Sequence, residues 1–214
     1  MTDTARPARW VVVVPVKPAG EGKSRLQVDG ARRTDLARAT ALDPLAAVAA
    51  SPRVLQLVVV GDDPQLAREA AMLPAVRFVP DPRPGGLDRA VAAGVEAVDP
   101  RAALPRAALL GDLPALRADD LTAALDLAAD VDRAVVADAE GTGSTLVTAA
   151  AGVTWASSFG DGSLARHVES GCRLLDLPSS SPLRRDVDTM AQLRAALALG
   201  VGPRTAAASA GLSA

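Results

Sequence analysis

The chain has 214 residues, 49% of them hydrophobic, with a net charge of −2 and one cysteine. That is enough apolar sequence for one sizeable core and a single domain. The near-neutral charge excludes a global field for nucleic acid or an anionic membrane. Cys172 alone cannot form an intramolecular disulfide and fits a reducing compartment. No apolar signal region precedes Trp10, and the VVVVPV run at 11–16 is too short to span a bilayer, so a soluble, cytoplasmic protein is expected.

Short β-branched runs alternate with alanine- and leucine-rich helical stretches, the pattern of an α/β sheet covered on both faces. A first strand is expected over 10–16. A helical stretch over 31–50 follows, broken at Asp43-Pro44, where a cap and a first-turn proline can restart a helix. Next come a strand over 54–60, a turn at Gly61-Asp62-Asp63-Pro64, a helix over 65–72 and a short strand over 76–79. The loop 80–86 then leads into a helix over 87–98. A buried strand over 107–110 stops at Gly111-Asp112-Leu113-Pro114, ahead of a helix over 119–129. Strands over 134–137 and 145–149 flank Gly141-Thr142-Gly143-Ser144, and Phe159-Gly160-Asp161-Gly162-Ser163 opens a helix through His167. A strand over 173–177, an extended approach over 183–187 and a helix over 189–199 complete the pattern. The small-residue tail beyond Val201 is expected to be loosely ordered, as are the first eight residues.

The Gly22-Lys23-Ser24 tripeptide raises the question of an ATPase-type phosphate loop. That motif needs a glycine six positions before the lysine, where this chain has Lys17, and a helix starting at the lysine, where 25–30 shows no helical apolar repeat. What remains is a loop after strand one carrying Lys17, Lys23 and Arg25, a composition suited to a polyanion. Lysine occurs only at positions 17 and 23, every other one of the 23 basic residues being arginine. Such retention singles these two out.

In open α/β sheets, ligands bind outside the carboxyl ends of the strands, where strand order reverses. Lys17, Asp112 and Asp188 each follow a strand or extended segment, so they can share one rim. Asp112 and Asp188 could there hold a hard cation such as Mg²⁺. Asp112 also reads as a turn residue before Pro114, and Asp188 as a helix N-cap, although Thr189 and Gln192 have capping-box spacing. Asp186 competes as second ligand because alternate residues of an extended segment share a side. The turns 141–144 and 160–163 could present backbone N–H and hydroxyl donors to a phosphate or carboxylate, the second aided by a helix N-terminus. Arg166 could pair with an anion or sit on a solvated face. His167 reads as a surface or packing residue, Cys172, Trp10 and Trp155 read as packing residues, and 2% aromatic content provides no stacking platform for single-stranded nucleic acid.

Together, Pro15-Val16-Lys17, Lys23-Ser24-Arg25-Leu26, Gly111-Asp112-Leu113-Pro114, Gly141-Thr142-Gly143-Ser144, Phe159-Gly160 with Ser163-Leu164-Ala165-Arg166-His167, and Asp186-Val187-Asp188-Thr189 resemble the 2-phospho-L-lactate/phosphoenolpyruvate guanylyltransferase family of coenzyme F420 biosynthesis. The resemblance spans nearly the whole chain in order. It implies the single-domain, three-layer α/β nucleotidyltransferase fold shared with molybdenum-cofactor guanylyltransferases, with a mostly parallel mixed sheet. It also implies transfer of GMP from GTP to the phosphate of a three-carbon acid. Carried over by position, Asp112 and Asp188 look like Mg²⁺ ligands. Ser144, Gly160, Ser163 and Arg166 look like the acceptor pocket, and Lys17, Lys23, Arg25, Gly86 and Asp88 look like the GTP side. Many relatives have Gly-Leu-Asn where this chain has Gly86-Leu87-Asp88, so an amide donor is lost there.

The Gly200-Val201-Gly202-Pro203 end resembles actinobacterial members, which points to phosphoenolpyruvate as acceptor over 2-phospho-L-lactate or 3-phosphoglycerate. The competing readings are a molybdopterin- or sugar-phosphate nucleotidyltransferase and a nucleotide-binding module without turnover. Against the first, Val16-Lys17-Pro18-Ala19-Gly20 is not the Leu-Ala-Gly-Gly type of loop those enzymes carry. A homodimer or a later enzyme of the pathway is the conceivable protein partner.

Overall fold

A computed structural model describes residues 8–18, 30–82 and 85–212. Lys23, Ser24, Arg25 and Leu26 therefore lie outside the described residues.

Seven strands form one sheet in the order β3-β2-β1-β4-β6-β5-β7. They are β1 (Trp10–Pro15), β2 (Val54–Gly61), β3 (Val76–Pro80), β4 (Arg106–Leu109), β5 (Arg133–Ala137), β6 (Ser144–Ala149) and β7 (Arg173–Leu174). All neighbours pair in parallel except β6, which runs antiparallel to both β4 and β5. This is the mixed, mostly parallel sheet expected.

β1 is central and every residue of it is buried, which is why it reads as an unbroken apolar run rather than an alternating one. Its side chains still divide by face. Trp10, Val12 and Val14 pack with Leu42, Leu45, Leu121 and Leu125, from α1 (Gly30–Ala50) and α4 (Ala118–Ala128). Val11 and Val13 pack with Ala90, Val91 and Val95 of α3 (Gly86–Val98). Each such valine contributes about 1.5–3 kcal/mol relative to exposure. On the α3 side the far half of the sheet is covered by Leu164 of α5 (Ser163–Glu169) with Trp155, Phe159 and Cys172, packed on Val135 and Val147. The result is three layers. The remaining helices are α2 (Pro64–Ala70), α6 (Met190–Leu199) and α7 (Pro203–Ser209). Among the described residues, no helix is long and apolar enough to cross a membrane.

Two expectations are corrected. Asp43-Pro44 does not interrupt α1, which continues through Pro44 for 21 residues. The tail beyond Val201 is not loose, because 203–209 form α7. The same residue explains both: Asp43 is 5% exposed and accepts the N–H groups of Arg204 and Thr205 at 3.3 and 2.7 Å, so it caps α7 from the middle of α1. A cap of this kind contributes about 1 kcal/mol, and Thr205 and Ser209 are buried beneath it. Strand β7 is also shorter than expected. Only Arg173–Leu174 pair with β5, and the approach to Val187 passes through a 3₁₀ turn at Pro182–Arg184.

Candidate active site

Strand order reverses at β1: β2 and β3 lie to one side, β4 to the other. The chains leaving β1 and β4 therefore diverge and open a crevice at their carboxyl ends. Val16 leaves β1 with its N–H on the Val60 carbonyl at 2.8 Å. It passes between two glycines. A Cβ on Gly61 would lie 2.8 Å from the Val16 oxygen, and one on Gly111 would lie 2.9 Å from the Pro15 oxygen. Backbone cannot rotate out of the way, so both positions must be glycine for the lips of the crevice to close on each other. Because β6 runs backwards it begins at this rim, with Ser144 as its first residue. β5 ends there, followed by Asp138. The cavity so framed has a volume of about 540 Å³ and is lined by Lys17, Asp112, Ser144, Gly160, Ser163, Asp186 and Asp188 among others.

One wall is acidic. The Val187 N–H donates to the Asp112 carbonyl at 3.1 Å, which pins the segment before α6 beside the end of β4. Val187 is wholly buried among Leu36, Ala115 and Leu193. Alternation along the extended chain then sends Asp186 and Asp188 the other way, into the cavity. Thr189, not Asp188, is the N-cap of α6: its Oγ accepts the Gln192 N–H, and Gln192 Oε1 accepts the N–H groups of Asp188 and Thr189. Burial, and then the charges of Asp112, Asp188 and Glu140, raise the carboxyl of Asp186 to about 7. Its Oδ1 is buried and, among the described residues, has no hydrogen-bond partner. A carboxylate desolvated among like charges is unfavourable until a cation arrives. This donor set suits a hard divalent ion. Among the described residues no three His, Cys, Asp or Glu side chains converge closely enough to enclose one, so substrate oxygens would complete its shell.

The opposite wall carries hydroxyls on a turn organised by Asp138, whose carboxylate accepts the N–H groups of Thr142 and Gly143 at 2.9 and 2.7 Å. Arg184 in turn grips the Asp138 carbonyl through Nε and a terminal nitrogen. Two of the turn's amides are thus committed internally, and its offer to a ligand is the Ser144 hydroxyl rather than an amide cradle. The Leu164 N–H donates to the Thr142 carbonyl at 3.1 Å, holding α5 and its leading turn against this one. Ser163 is thereby brought beside Ser144, each at most 3% exposed.

The structure thus brings Lys17, Asp112, Ser144, Gly160, Ser163 and Asp188 to one cavity and adds Asp186. Arg166 does not line it. Its guanidinium donates to the Ser158 hydroxyl and to the carbonyls of Ser158, Phe159 and Asp161, clamping the loop that carries Gly160. Asp88 holds the same loop, its Oδ1 accepting the Phe159 N–H at 3.1 Å. Gly86 starts α3 beside Leu87, which does line the cavity. Sequence reasoning missed Asp138. The available signal was an acid ending a β run just ahead of a glycine-rich turn, the setting in which a carboxylate caps its own loop. It also treated Asp186 as a rival of Asp188, whereas both face the cavity.

A model of CofC-like guanylyl transferases matches residues 10–179. A phosphoenolpyruvate guanylyltransferase of Streptomyces scabiei (strain 87.22) is 50% identical over 210 residues, covering 95% of this chain and 97% of that one. One from Thermomonospora curvata is 47% identical over 205 residues, covering 94% and 89%. In fold the chain is similar to a 4-diphosphocytidyl-2C-methyl-D-erythritol synthase from Anaerococcus prevotii DSM 20548, with a TM-score of 0.61, 12% identity and coverage of 90% and 96%. It is also similar to a CMP:2-keto-3-deoxy-manno-octonic acid synthetase complexed with CTP, with a TM-score of 0.54, 16% identity and coverage of 90% and 98%. Sequence relatives and fold agree, and the chain belongs to the CofC-like guanylyl transferase family.

Proposed function

We propose that the chain transfers the guanylyl group of GTP to phosphoenolpyruvate, giving enolpyruvyl-diphosphoguanosine and pyrophosphate, in the cytoplasm and as a step of coenzyme F420 biosynthesis. As a member of its family the chain is a nucleotidyltransferase. The observation that carries the reading is one cavity at the sheet's switch point with carboxylates on one wall, buried hydroxyls on the other and Lys17 at the lip.

An oxygen of the acceptor phosphate forms the new bond to the α-phosphorus of GTP. The bond from that phosphorus to the bridging oxygen of the β-phosphate breaks, and pyrophosphate leaves with the electron pair. A phosphate monoester is largely dianionic at neutral pH, with a second pKa of about 6, so the nucleophile needs no general base and the chain needs no histidine or serine relay. The difficulty is bringing two polyanions together in line. Lys17, with Lys23 and Arg25, serves the triphosphate. Ser144 and Ser163, with the backbone at Gly160, hold the acceptor's phosphate and carboxylate. Arg166 and Asp88 keep the Gly160 loop in place, and Gly86 and Leu87 form the edge on the nucleotide side. Asp112 and Asp188, with Asp186 beside them and substrate oxygens completing the shell, would hold Mg²⁺, which supplies neutralisation of phosphate charge when bound.

The test is pyrophosphate release on incubation with GTP, Mg²⁺ and one acceptor at a time. Release with phosphoenolpyruvate, well above that with 2-phospho-L-lactate or 3-phosphoglycerate, is expected. Release only with another acceptor would overturn the substrate, and release with none would overturn the activity.

A further inference from the structure

We infer that His167, the only histidine of the chain, is a positioning residue that turns the Ser144 hydroxyl into an obligate hydrogen-bond donor facing the cavity. The imidazole is 1% exposed, yet neither ring nitrogen is idle. Nε2 lies 2.8 Å from the Ser158 backbone N–H. An amide can only donate, so Nε2 carries a lone pair and is the acceptor. A neutral imidazole has a single N–H, which must then be on Nδ1, and Nδ1 lies 3.0 Å from Ser144 Oγ. Ser144 therefore receives a hydrogen bond from the ring and cannot direct its own proton there. Among the described residues nothing else accepts that proton, and Ser144 lines the cavity. The proton points to where the acceptor anion would sit.

The surroundings keep the ring in this state. Burial lowers its affinity for a second proton, with Asp88 opposing that effect and Arg166 adding to it. A hydrogen bond from the ring to the Ser163 backbone, one turn earlier, also opposes the lowering, and burial outweighs it. A charged ring would set an Nε2–H against the Ser158 N–H, donor against donor. The edge of the Phe159–His167 pair, with ring centroids 5.3 Å apart, holds the imidazole plane. A phosphate or carboxylate can only accept. A serine free to rotate would spend part of its time offering a lone pair to that anion, and His167 removes this option.

The proposal rests on the reading that Ser144 binds the acceptor, but its first test does not use turnover. With ¹⁵N-labelled histidine the protein has one imidazole to observe. Around neutral pH the expected spectrum has Nδ1 protonated and Nε2 bare, with titration shifted below the ordinary histidine value. The opposite tautomer, or ordinary titration, overturns the proposal. The second test is kinetic. Ser144→Ala should raise the KM for phosphoenolpyruvate about tenfold, leaving that for GTP within about twofold. His167→Asn, whose amide can still donate from near the Nδ1 position, should cost less than His167→Ala. Neither His167 change should raise the acceptor KM further in the Ser144→Ala background. Additive effects, or equal damage to both KM values, would make His167 a packing residue only. Absence of pyrophosphate release by the unsubstituted enzyme would sink the activity but leave the tautomer result standing.

Discussion

The two walls of the cavity are built on opposite principles. On the hydroxyl wall the polar groups satisfy one another: Asp138 closes its own turn, His167 spans Ser144 and Ser158, and Arg166 gathers four oxygens of the adjoining loop. On the acidic wall Asp186 is half-buried among like charges, with one buried oxygen that has no hydrogen-bond partner among the described residues. The first wall is ordered before any ligand binds; on the second, ionised Asp186 becomes favourable only when positive charge reaches it. A transferase needs both, since fixed donors orient the acceptor while the carboxylate of Asp186 favours the ion that lets phosphates approach.

The sharpest way to break this contrast is to neutralise one acid. Asp112→Asn or Asp186→Asn should lower kcat/KM by about 10²–10³, the usual loss when one element of transition-state charge stabilisation is removed. Asp186→Asn should at the same time raise the melting temperature of the metal-free protein, because a desolvated charge has gone. Lower activity with lower stability would mean that the acidic wall is as self-satisfied as its neighbour. On the other wall, Asp138→Ala should destabilise by about 1–2 kcal/mol through the loss of two charge-assisted hydrogen bonds that hold the turn, water replacing one of them at the exposed Thr142 amide. Chemical denaturation and the KM for phosphoenolpyruvate would register it, and an unchanged midpoint would remove Asp138 from the design. Lys23→Ala, outside the described residues, should cost roughly 2 kcal/mol in GTP use, seen as a higher KM for GTP; unchanged kinetics would make Lys23 a solvated loop charge.

The smallest effect is a matter of sign. The Asp186 carboxyl is raised from 3.8 to about 7 in the folded protein, so between those values the folded state binds more protons than the unfolded one. Its contribution to stability is full below about 4 and is lost as the pH rises through 7. His167, lowered from 6.5, works the other way and costs stability as the pH falls below that value. Metal-free melting curves should therefore slope downward with pH between 4 and 7 through Asp186, and Asp186→Asn should flatten that slope.

Much of the fold was readable because its signals are local. β1 announces itself as a fully apolar run, and the Thr189–Gln192 capping box marks the start of α6 by spacing alone. What misled was Asp43-Pro44, whose local meaning is a helix break and whose actual partner is 161 residues away in Arg204. Arg166 misled in the same way, since a cation near a glycine turn reads as an anion ligand until the loop oxygens that occupy it are seen.

By itself, the order of motifs in the sequence determined the family, the α/β alternation and most of the residues that meet at the cavity, because strand ends and glycine turns are set by neighbours in the chain. Only the tertiary structure decided that Asp186 joins Asp112 and Asp188, that the amides of the 141–144 turn are already taken, and that His167 stands behind Ser144. Each of these depends on which groups lose their water together. That is a property of packing between segments distant in the chain, and no stretch of sequence carries it alone.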